Sequence, residues 1–149
     1  MQQSKILIRT GIKFADDIDA LHHIGETLLN AGVVKASYPS ALLEREATYP
    51  TGIALEQHAV AIPHCEATHA NEPAIYLIRP DKPVSFYQAD DDGTVPARLI
   101  IALVVTHPDR QLALLRRLFC ALQDSAFLDA LLAAPEDDMA TLFSQAVLH

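Results

Sequence analysis

The amino-acid sequence predicts an α/β fold, a single-domain sandwich in which a mixed β-sheet is flanked by α-helices. Short β-branched segments alternate along the chain with segments of helical periodicity, which is typical of a sheet packed between helices. The segment from Arg98 to Thr106 is apolar and rich in β-branched residues between its two ends, as expected of a central strand covered on both faces. A length of 149 residues fits one domain, so we expect residues 1–149 to form a single unit.

The first part of the chain predicts a strand followed by a helix. Lys5 to Arg9 alternates polar and apolar side chains, as a half-buried strand does. Apolar residues then recur at helical spacing from Asp16 to Ala31, with Asp16 or Asp17 as the N-cap and Gly32 just beyond the end. The residues predicted to face the core are Ile18, Leu21, Ile24, Leu28 and Leu29.

A second helix is predicted to begin at Tyr38-Pro39-Ser40, because proline is favoured in a first turn. Its end carries Glu44, Arg45 and Glu46, for which two interpretations stay open. Either the three side chains form a solvated charged face, or Arg45 points toward the following segment and holds a phosphate through paired hydrogen bonds. Pro50-Thr51-Gly52 then predicts a turn.

The second half of the chain predicts two strands, Ala74–Arg79 and Val84–Phe86, before the central strand. A helix is predicted from Arg110, and two more begin at Asp124-Ser125 and at Pro135–Asp138. The last of these has acidic residues in its first turn, where the helix dipole favours negative charge. The predicted apolar stripe of the first of these helices consists of Leu112, Leu115, Leu118, Phe119 and Leu122. Strands and helices therefore interleave to the end of the chain.

Composition argues against two classes of function. The formal net charge is −8, with 19 acidic and 11 basic residues. Binding to nucleic acid depends on Lys and Arg to neutralise phosphates, so this balance argues against nucleic acid and favours a basic protein partner. No apolar run approaches the ~20 residues that span a bilayer, and the first residues lack the features of a signal peptide. We therefore expect a cytoplasmic protein with reduced cysteines and no membrane insertion.

The candidate site lies between Tyr49 and Ala70. Val60 to Ile62 predicts a short strand that Pro63 ends, because proline cannot donate a hydrogen bond to a sheet. His64 then lies just past a strand end, which is where open α/β sheets bind ligands. The alternative is a loop histidine near the surface.

Other chemistries fit this segment less well. A metal-assisted hydrolase would need His58, His64 and His69 to converge, yet their spacings of six and five residues lack the short ligand pairs of zinc sites. Cys65 is interpreted as a small packing residue, because neighbours in extended chain point to opposite sides. None of the five glycines lies in a nucleotide-binding motif, so a nucleotide cradle is not expected.

Histidine can itself be the nucleophile. A neutral imidazole attacks a phosphoryl group and forms an intermediate labile enough to pass the group on. Such a carrier needs one accessible ring nitrogen, a hydrogen bond that fixes the other nitrogen, and neighbours that tolerate a dianion. The polar loop around His64 is able to provide these.

The sequence also resembles a known family. The tetrapeptide Ala61-Ile62-Pro63-His64 follows Arg45-Glu46 and Pro50-Thr51-Gly52-Ile53, and it precedes a long apolar strand and a leucine-rich helix from Gln111. In this context it resembles the enzyme IIA components of the bacterial sugar phosphotransferase system, of the fructose/mannitol type. The resemblance runs from about Lys5 to Val147. The segment PTGIALEQHAVAIPHCEA, with QADDDG later, is most similar to the galactitol branch.

The resemblance implies a phosphocarrier built on a mixed sheet flanked by helices. His64 would accept a phosphoryl group on Nε2 from the phosphohistidine of the carrier HPr. It would pass the group to a cysteine of the cognate enzyme IIB, which serves the membrane component, enzyme IIC. Arg45 matches the family's arginine at the helix end and would position the phosphoryl group or its donor. No cofactor or metal is implied.

Four further residues are candidates for supporting the phosphoryl group. Many relatives place a second histidine at the start of the helix after the long strand, and Gln111 stands there in this sequence. Its amide would donate a hydrogen bond, or His58 or His107 would substitute, although His58 has a purely structural hydrogen bond as an equal alternative. Thr51 belongs to the same supporting set. The alternative function from another class is a regulatory module in which the phosphohistidine controls docking to a partner.

Overall fold

A computed structural model of the protein describes residues 4–148, which form one six-stranded sheet with helices on both faces. The strands are β1 Lys5–Thr10, β2 Gly52–Ala54, β3 Ala59–Ala61, β4 Ala74–Arg79, β5 Val84–Tyr87 and β6 Thr94–Val104. The helices are α1 Asp17–Asn30, α2 Tyr38–Thr48, α3 Pro108–Leu122, α4 Ser125–Ala133 and α5 Glu136–Phe143, with a 3-10 turn at Ala67–His69 and a π-helical end at Ser144–Leu148. The predicted mixed sheet flanked by helices is confirmed.

The sheet is organised around β6, which pairs with three other strands. The strand order is β1-β4-β6-β3-β2, and β5 pairs with the first part of β6. β1 pairs parallel with β4, and β3 pairs parallel with β6. β4 and β5 each pair antiparallel with β6. The prediction that 98–106 forms the central strand is confirmed, with the strand beginning earlier, at Thr94, and ending at Val104.

Alternate residues of β6 point into two separate hydrophobic cores. Ile100, Ala102 and Val104 belong to the core under α1 and α2. Leu99, Ile101 and Leu103 belong to the core under α3, α4 and α5. The sequence of a strand that is buried on both faces is continuously apolar, because neither set of side chains contacts water.

Two helix faces differ from the sequence prediction. Ile18 and Leu29 of α1 are 48% and 38% exposed, and Leu112 and Phe119 of α3 are also exposed. The buried side of α3 is formed by the predicted Leu118 and Leu122 together with Leu114, at four-residue intervals. Since successive helical residues rotate by about 100°, Leu112 and Phe119 stand too far round the helix to share that face.

The segment predicted as a turn at Pro50-Thr51-Gly52 contains the start of a strand. β2 begins at Gly52 and pairs antiparallel with β3, with Gly52 opposite Ala61. A Cβ on Gly52 would lie 2.5 Å from the carbonyl oxygen of Tyr87, so only glycine permits this approach of β5 to β2. The turn prediction is therefore wrong at Gly52, and the adjacent bend lies at Tyr49. Turn-forming residues alone could not show that β3 would pair with this segment.

In the described part of the chain, 4–148, no helix has the length and apolar character required to cross a bilayer.

Candidate active site

His64 lies at the carboxyl end of β3, between the two helical layers. Pro63 is buried and its carbonyl accepts a hydrogen bond from the backbone N–H of Leu103 in β6, at 3.1 Å. This bond ties the segment after β3 to the end of the central strand. The His64 backbone is therefore held on the rigid sheet, as expected for a site at a strand end.

The ring of His64 has a defined tautomer. Its Nδ1 lies 2.7 Å from the backbone carbonyl oxygen of Ile62. A carbonyl oxygen only accepts, so Nδ1 carries the hydrogen and donates it. Nε2 therefore holds the lone pair, and within residues 4–148 no hydrogen bond engages it. The ring is thus prepared for attack through Nε2.

The surroundings of His64 favour the neutral ring. Burial lowers the pKa of His64 below its ordinary value of 6.5. The hydrogen bond to Ile62 and the charge of Glu66 oppose this shift, whereas the Arg45 guanidinium adds to it. A neutral imidazole near pH 7 has an available lone pair, which is the form that a nucleophile requires.

Arg45 reaches the site from the last turns of α2. Its Nη1 donates to the carbonyl of Tyr49 at 3.2 Å, and its guanidinium carbon lies 4.8 Å from the centre of the Tyr49 ring. These contacts hold the side chain near the end of α2, where its charge is close enough to lower the pKa of His64. Arg45 and Tyr49 also line a cleft of ≈ 370 Å³, together with Glu66 and His69. The structure thus brings Arg45 and His64 into electrostatic contact.

Gln111 reaches the same segment from the opposite helical layer. Its Nε2 donates to the carbonyl of Cys65 at 3.1 Å. This contact places the first turn of α3 against the backbone that follows His64. The N-terminal turn of a helix favours a nearby negative charge, because its free N–H groups and the positive end of the helix dipole lie there.

Thr51 lies beneath the site, where it is buried. Its hydroxyl donates to Glu46 Oε1 at 2.7 Å, and its backbone N–H donates to Glu46 Oε2 at 2.7 Å. The N–H of Ile62 is shared between the Thr51 hydroxyl, at 3.2 Å, and the Thr51 carbonyl, at 3.3 Å. Thr51 therefore contacts the residue that holds the ring of His64, and it does not reach the ring itself.

Glu46 is the residue that the sequence interpretation missed. The predicted solvated face of Glu44, Arg45 and Glu46 is wrong for Glu46, which is 6% exposed. The signal was its spacing, because Glu46 follows the buried Leu42 by four residues and Tyr38 by eight. That spacing puts all three on one side of α2, so a carboxylate on it must find partners inside the protein.

The structure places His58 away from His64. His58 precedes β3 and its Nε2 lies 2.7 Å from Oδ1 of Asp129 in α4, whereas His64 follows the other end of β3. Of the two roles considered for His58, this geometry fits the structural hydrogen bond. His107, at the N-cap of α3, is exposed and forms no side-chain capping bond.

The three histidines of the metal hypothesis do not converge. Nδ1 of His69 bonds the hydroxyl of Ser37 at 2.7 Å, and its Nε2 faces Glu66 at 3.8 Å. No group of three His, Cys, Asp or Glu side chains suited to a metal is present among residues 4–148. This arrangement offers no support for a metal-assisted hydrolase.

Cys65 is a packing residue, as the sequence suggested. Its side chain is buried in the core under α1 and α2. Burial, helped by Glu66, raises the pKa of the Cys65 thiol to about 12. Burial and the raised pKa both favour the neutral thiol near pH 7, so this environment does not suit Cys65 as a nucleophile.

Comparison with known proteins identifies the family. Residues 2–146 match the family model described as phosphoenolpyruvate-dependent sugar phosphotransferase system, EIIA 2. The chain is 50% identical over 145 residues to the galactitol-specific EIIA component of the phosphotransferase system of Escherichia coli K12, a match that covers 97% of each protein.

Solved structures show the same fold. The crystal structure of the mannitol IIA from Escherichia coli is 25% identical, with a TM-score of 0.72 over 91% of this chain and 94% of that one. The mannitol enzyme IIA in its complex with phosphorylated enzyme IIB, also from Escherichia coli, is 24% identical, with a TM-score of 0.72 over 93% and 94%. With a family match over nearly the whole sequence, the chain belongs to the type-2 EIIA family of the phosphoenolpyruvate-dependent sugar phosphotransferase system and is one of its phosphocarriers.

Proposed function

We propose that His64 is the phosphoryl acceptor and that it uses Nε2. The observation that carries this proposal is the 2.7 Å hydrogen bond from Nδ1 to the Ile62 carbonyl, which leaves the lone pair on Nε2. The donor is the phosphohistidine of HPr, and the recipient is a cysteine of the cognate enzyme IIB. The protein acts as one domain in the cytoplasm, without direct contact with the membrane or with nucleic acid.

The transfer is an in-line displacement at phosphorus. As the bond from His64 Nε2 to phosphorus forms, the bond from phosphorus to the donor imidazole breaks, and that imidazole leaves with its electron pair. The His64 ring becomes positively charged because Nδ1 keeps its hydrogen. The Ile62 carbonyl already accepts that hydrogen, so its dipole stabilises the charge as it develops. Attack by a thiolate of enzyme IIB on phosphorus then returns the ring to its neutral form.

The supporting residues divide between charge and positioning. Arg45 supplies the positive charge beside His64 that compensates the phosphoryl oxygens. Gln111 fixes the backbone after His64 and brings the N-terminal turn of α3 to the site. Thr51 supports the Ile62 end of the same segment. His58 contributes to folding through Asp129 and not to transfer.

We assign the substrate branch from sequence similarity. The relative with 50% identity is the galactitol-specific component, and the match spans almost all of both proteins. The cognate enzyme IIB is therefore the galactitol form, which hands the group to the sugar bound by the membrane component, enzyme IIC. Similarity to the mannitol enzyme IIA, seen in complex with phosphorylated enzyme IIB, supports the general arrangement of partners.

The test is intact-mass analysis after incubation with phosphoenolpyruvate, enzyme I and HPr. We expect one acid-labile phosphoryl group on the native protein, none on His64→Gln, and one on His58→Gln as the matched control. Phosphorus NMR should assign the group to Nε2. Transfer should then proceed to galactitol enzyme IIB faster than to mannitol enzyme IIB.

Each part of the proposal has its own contrary result. An unmodified native protein beside active HPr overturns the acceptor assignment. A phosphorylated protein that donates to neither enzyme IIB, and instead changes its affinity for a non-transport partner, establishes the regulatory alternative. Faster transfer to mannitol enzyme IIB overturns the galactitol assignment alone.

A further inference from the structure

Glu46 is a buried carboxylate in an unfavourable position. It is 6% exposed and lies in the last turns of α2, where the helix dipole disfavours negative charge. Burial raises the pKa of Glu46, and the hydrogen bonds from Thr51 oppose that shift. Burying a carboxylate costs free energy unless its oxygens are fully bonded, so this placement needs its own explanation.

Both oxygens of Glu46 are used by the same residue. Oε2 accepts from the backbone N–H of Thr51 and Oε1 accepts from its hydroxyl, each at 2.7 Å. A pair of bonds of this kind fixes the Thr51 backbone and its hydroxyl rotamer together. The hydroxyl hydrogen points to Glu46, so the Thr51 oxygen is free to accept from Ile62.

The bonds continue from Thr51 to the reacting ring. The N–H of Ile62 donates to Thr51, and the carbonyl of Ile62 accepts from Nδ1 of His64 at 2.7 Å. We call Glu46, Thr51 and Ile62 the Glu46 network. It spans from the end of α2 to the end of β3, and its last carbonyl is the group that selects the His64 tautomer.

We propose that Glu46 is a positioning residue for phosphoryl transfer, which acts through Thr51 and Ile62 to keep His64 in the tautomer with hydrogen on Nδ1. This inference rests on the proposed role of His64 as acceptor. Glu46 touches neither the ring nor the phosphoryl group. Its effect is on the orientation of the Ile62 carbonyl, and a displacement of about 1 Å at a reacting group is enough to slow a reaction on the order of 100-fold.

The variants exploit the two bonds to Thr51. In Glu46→Gln the amide oxygen accepts from one Thr51 donor, while the amide NH₂ faces the other donor. Thr51→Val removes the hydroxyl from the network, and Thr51→Ser keeps it as the conservative variant. Asp129→Asn is the matched control, because it alters a carboxylate bonded at 2.7 Å to a histidine at the other end of β3.

Two readouts separate positioning from simple stability. Nitrogen-15 NMR of the His64 ring reports the tautomer in the free protein. Single-turnover phosphorylation by phospho-HPr, over a range of concentrations, separates kcat from KM. We expect Glu46→Gln and Thr51→Val to mix the tautomers and lower kcat by about tenfold or more, with KM changed by less than about twofold. Asp129→Asn should match the native protein in both readouts, and Thr51→Ser should restore most of what Thr51→Val loses in each.

A folded Glu46→Gln protein with native tautomer signals and native kcat overturns the proposal, whatever its melting temperature. If Glu46→Gln does not fold, Thr51→Val and Thr51→Ser decide, and equal tautomer signals in those two proteins overturn it. A native protein that accepts no phosphoryl group refutes the proposed function instead. The tautomer signals of the variants then still show whether Glu46 controls the ring.

Discussion

The two ends of β3 each carry a histidine with one ring nitrogen 2.7 Å from an oxygen, yet the two sites differ in chemistry. At the carboxyl end, Nδ1 of His64 donates to a backbone carbonyl and Nε2 is left for reaction. At the amino end, Nε2 of His58 is occupied by the carboxylate of Asp129. The difference shows that the hydrogen-bond partner, rather than the presence of a histidine, decides which of them can be an acceptor.

The charges around the two rings also differ. The carboxylate of Asp129 lies 2.7 Å from the His58 ring and would repel a phosphoryl group at that end. Arg45 lies on the His64 side and disfavours protonation of that ring while it attracts a phosphoryl group. The His64 end of β3 thus has both the cation and the neutral ring that the proposed acceptor requires.

The largest effect is expected from removing the cation at the His64 end. Arg45→Met keeps the aliphatic stem but loses the charge, so the rate of phosphorylation by phospho-HPr should fall about 100-fold. Arg45→Lys should recover part of the rate, since an ammonium keeps the charge without the paired geometry. Rapid-quench kinetics would measure both.

Arg98→Gln is the matched control for Arg45. Arg98 is exposed and lies in β6 beside the start of β3, near the His58 end. It should react at the native rate. An equal loss of phosphorylation rate in Arg45→Met and Arg98→Gln would show that the total surface charge, and not the position of Arg45, controls the reaction. The two ends of β3 would then not differ through their local charges.

The pH dependence is the next largest effect. Because burial lowers the pKa of His64 below 6.5, the ring is neutral at pH 7 and the transfer rate should be level from pH 7 to pH 8. Below that pKa the ring gains a proton and loses its lone pair, so the rate should fall about tenfold per pH unit.

The same shift makes a prediction about stability. Between pH 6.5 and the lowered pKa, the unfolded chain binds more protons at His64 than the folded protein does, so acid should destabilise the native protein. His64→Gln should lose this part of the pH dependence in denaturant unfolding. An NMR titration that places the His64 midpoint above 6.5 would contradict both predictions.

A smaller effect is expected from Gln111. Gln111→Ala loses the bond to the Cys65 carbonyl, and a single hydrogen bond has a net value of about 1 kcal/mol, so transfer should slow about fivefold. Gln111→Glu places a carboxylate, which cannot donate, next to the Cys65 carbonyl and adds negative charge, so it should slow transfer further. A native rate in Gln111→Ala would limit the site to the residues of the α2 layer.

The smallest effect is expected at the His58 end. Asp129 has a side chain that is 57% exposed, so Asp129→Asn should lower the free energy of unfolding by about 1 kcal/mol or less. The transfer rate should stay native, as it should in His58→Gln. Denaturant unfolding and the kinetic assay would test this together, and slower transfer in either variant would give His58 a role at the site.

Local signals in the sequence were sufficient for most of the elements. Pro63 marked the end of β3 and so located His64, and the apolar run in β6 identified the central strand, because both follow from neighbours in the chain. β2 was missed, since its three residues gain strand structure only by pairing with β3. The faces of α1 and α3 were partly wrong, because periodicity shows that a helix has an apolar side but not how wide the covered strip is.

The sequence by itself determined that His64, the candidate nucleophile, follows a strand, that an arginine lies near the end of α2, and that a glutamine lies at the start of α3. Each of these is a property of a residue and its immediate neighbours. Only the tertiary structure decided that Arg45 and Gln111 approach His64 from opposite layers, that His58 pairs with Asp129, and that Glu46 is buried beneath the site. Those facts depend on contacts between residues far apart in the chain, and a single sequence does not encode such distances in any local pattern.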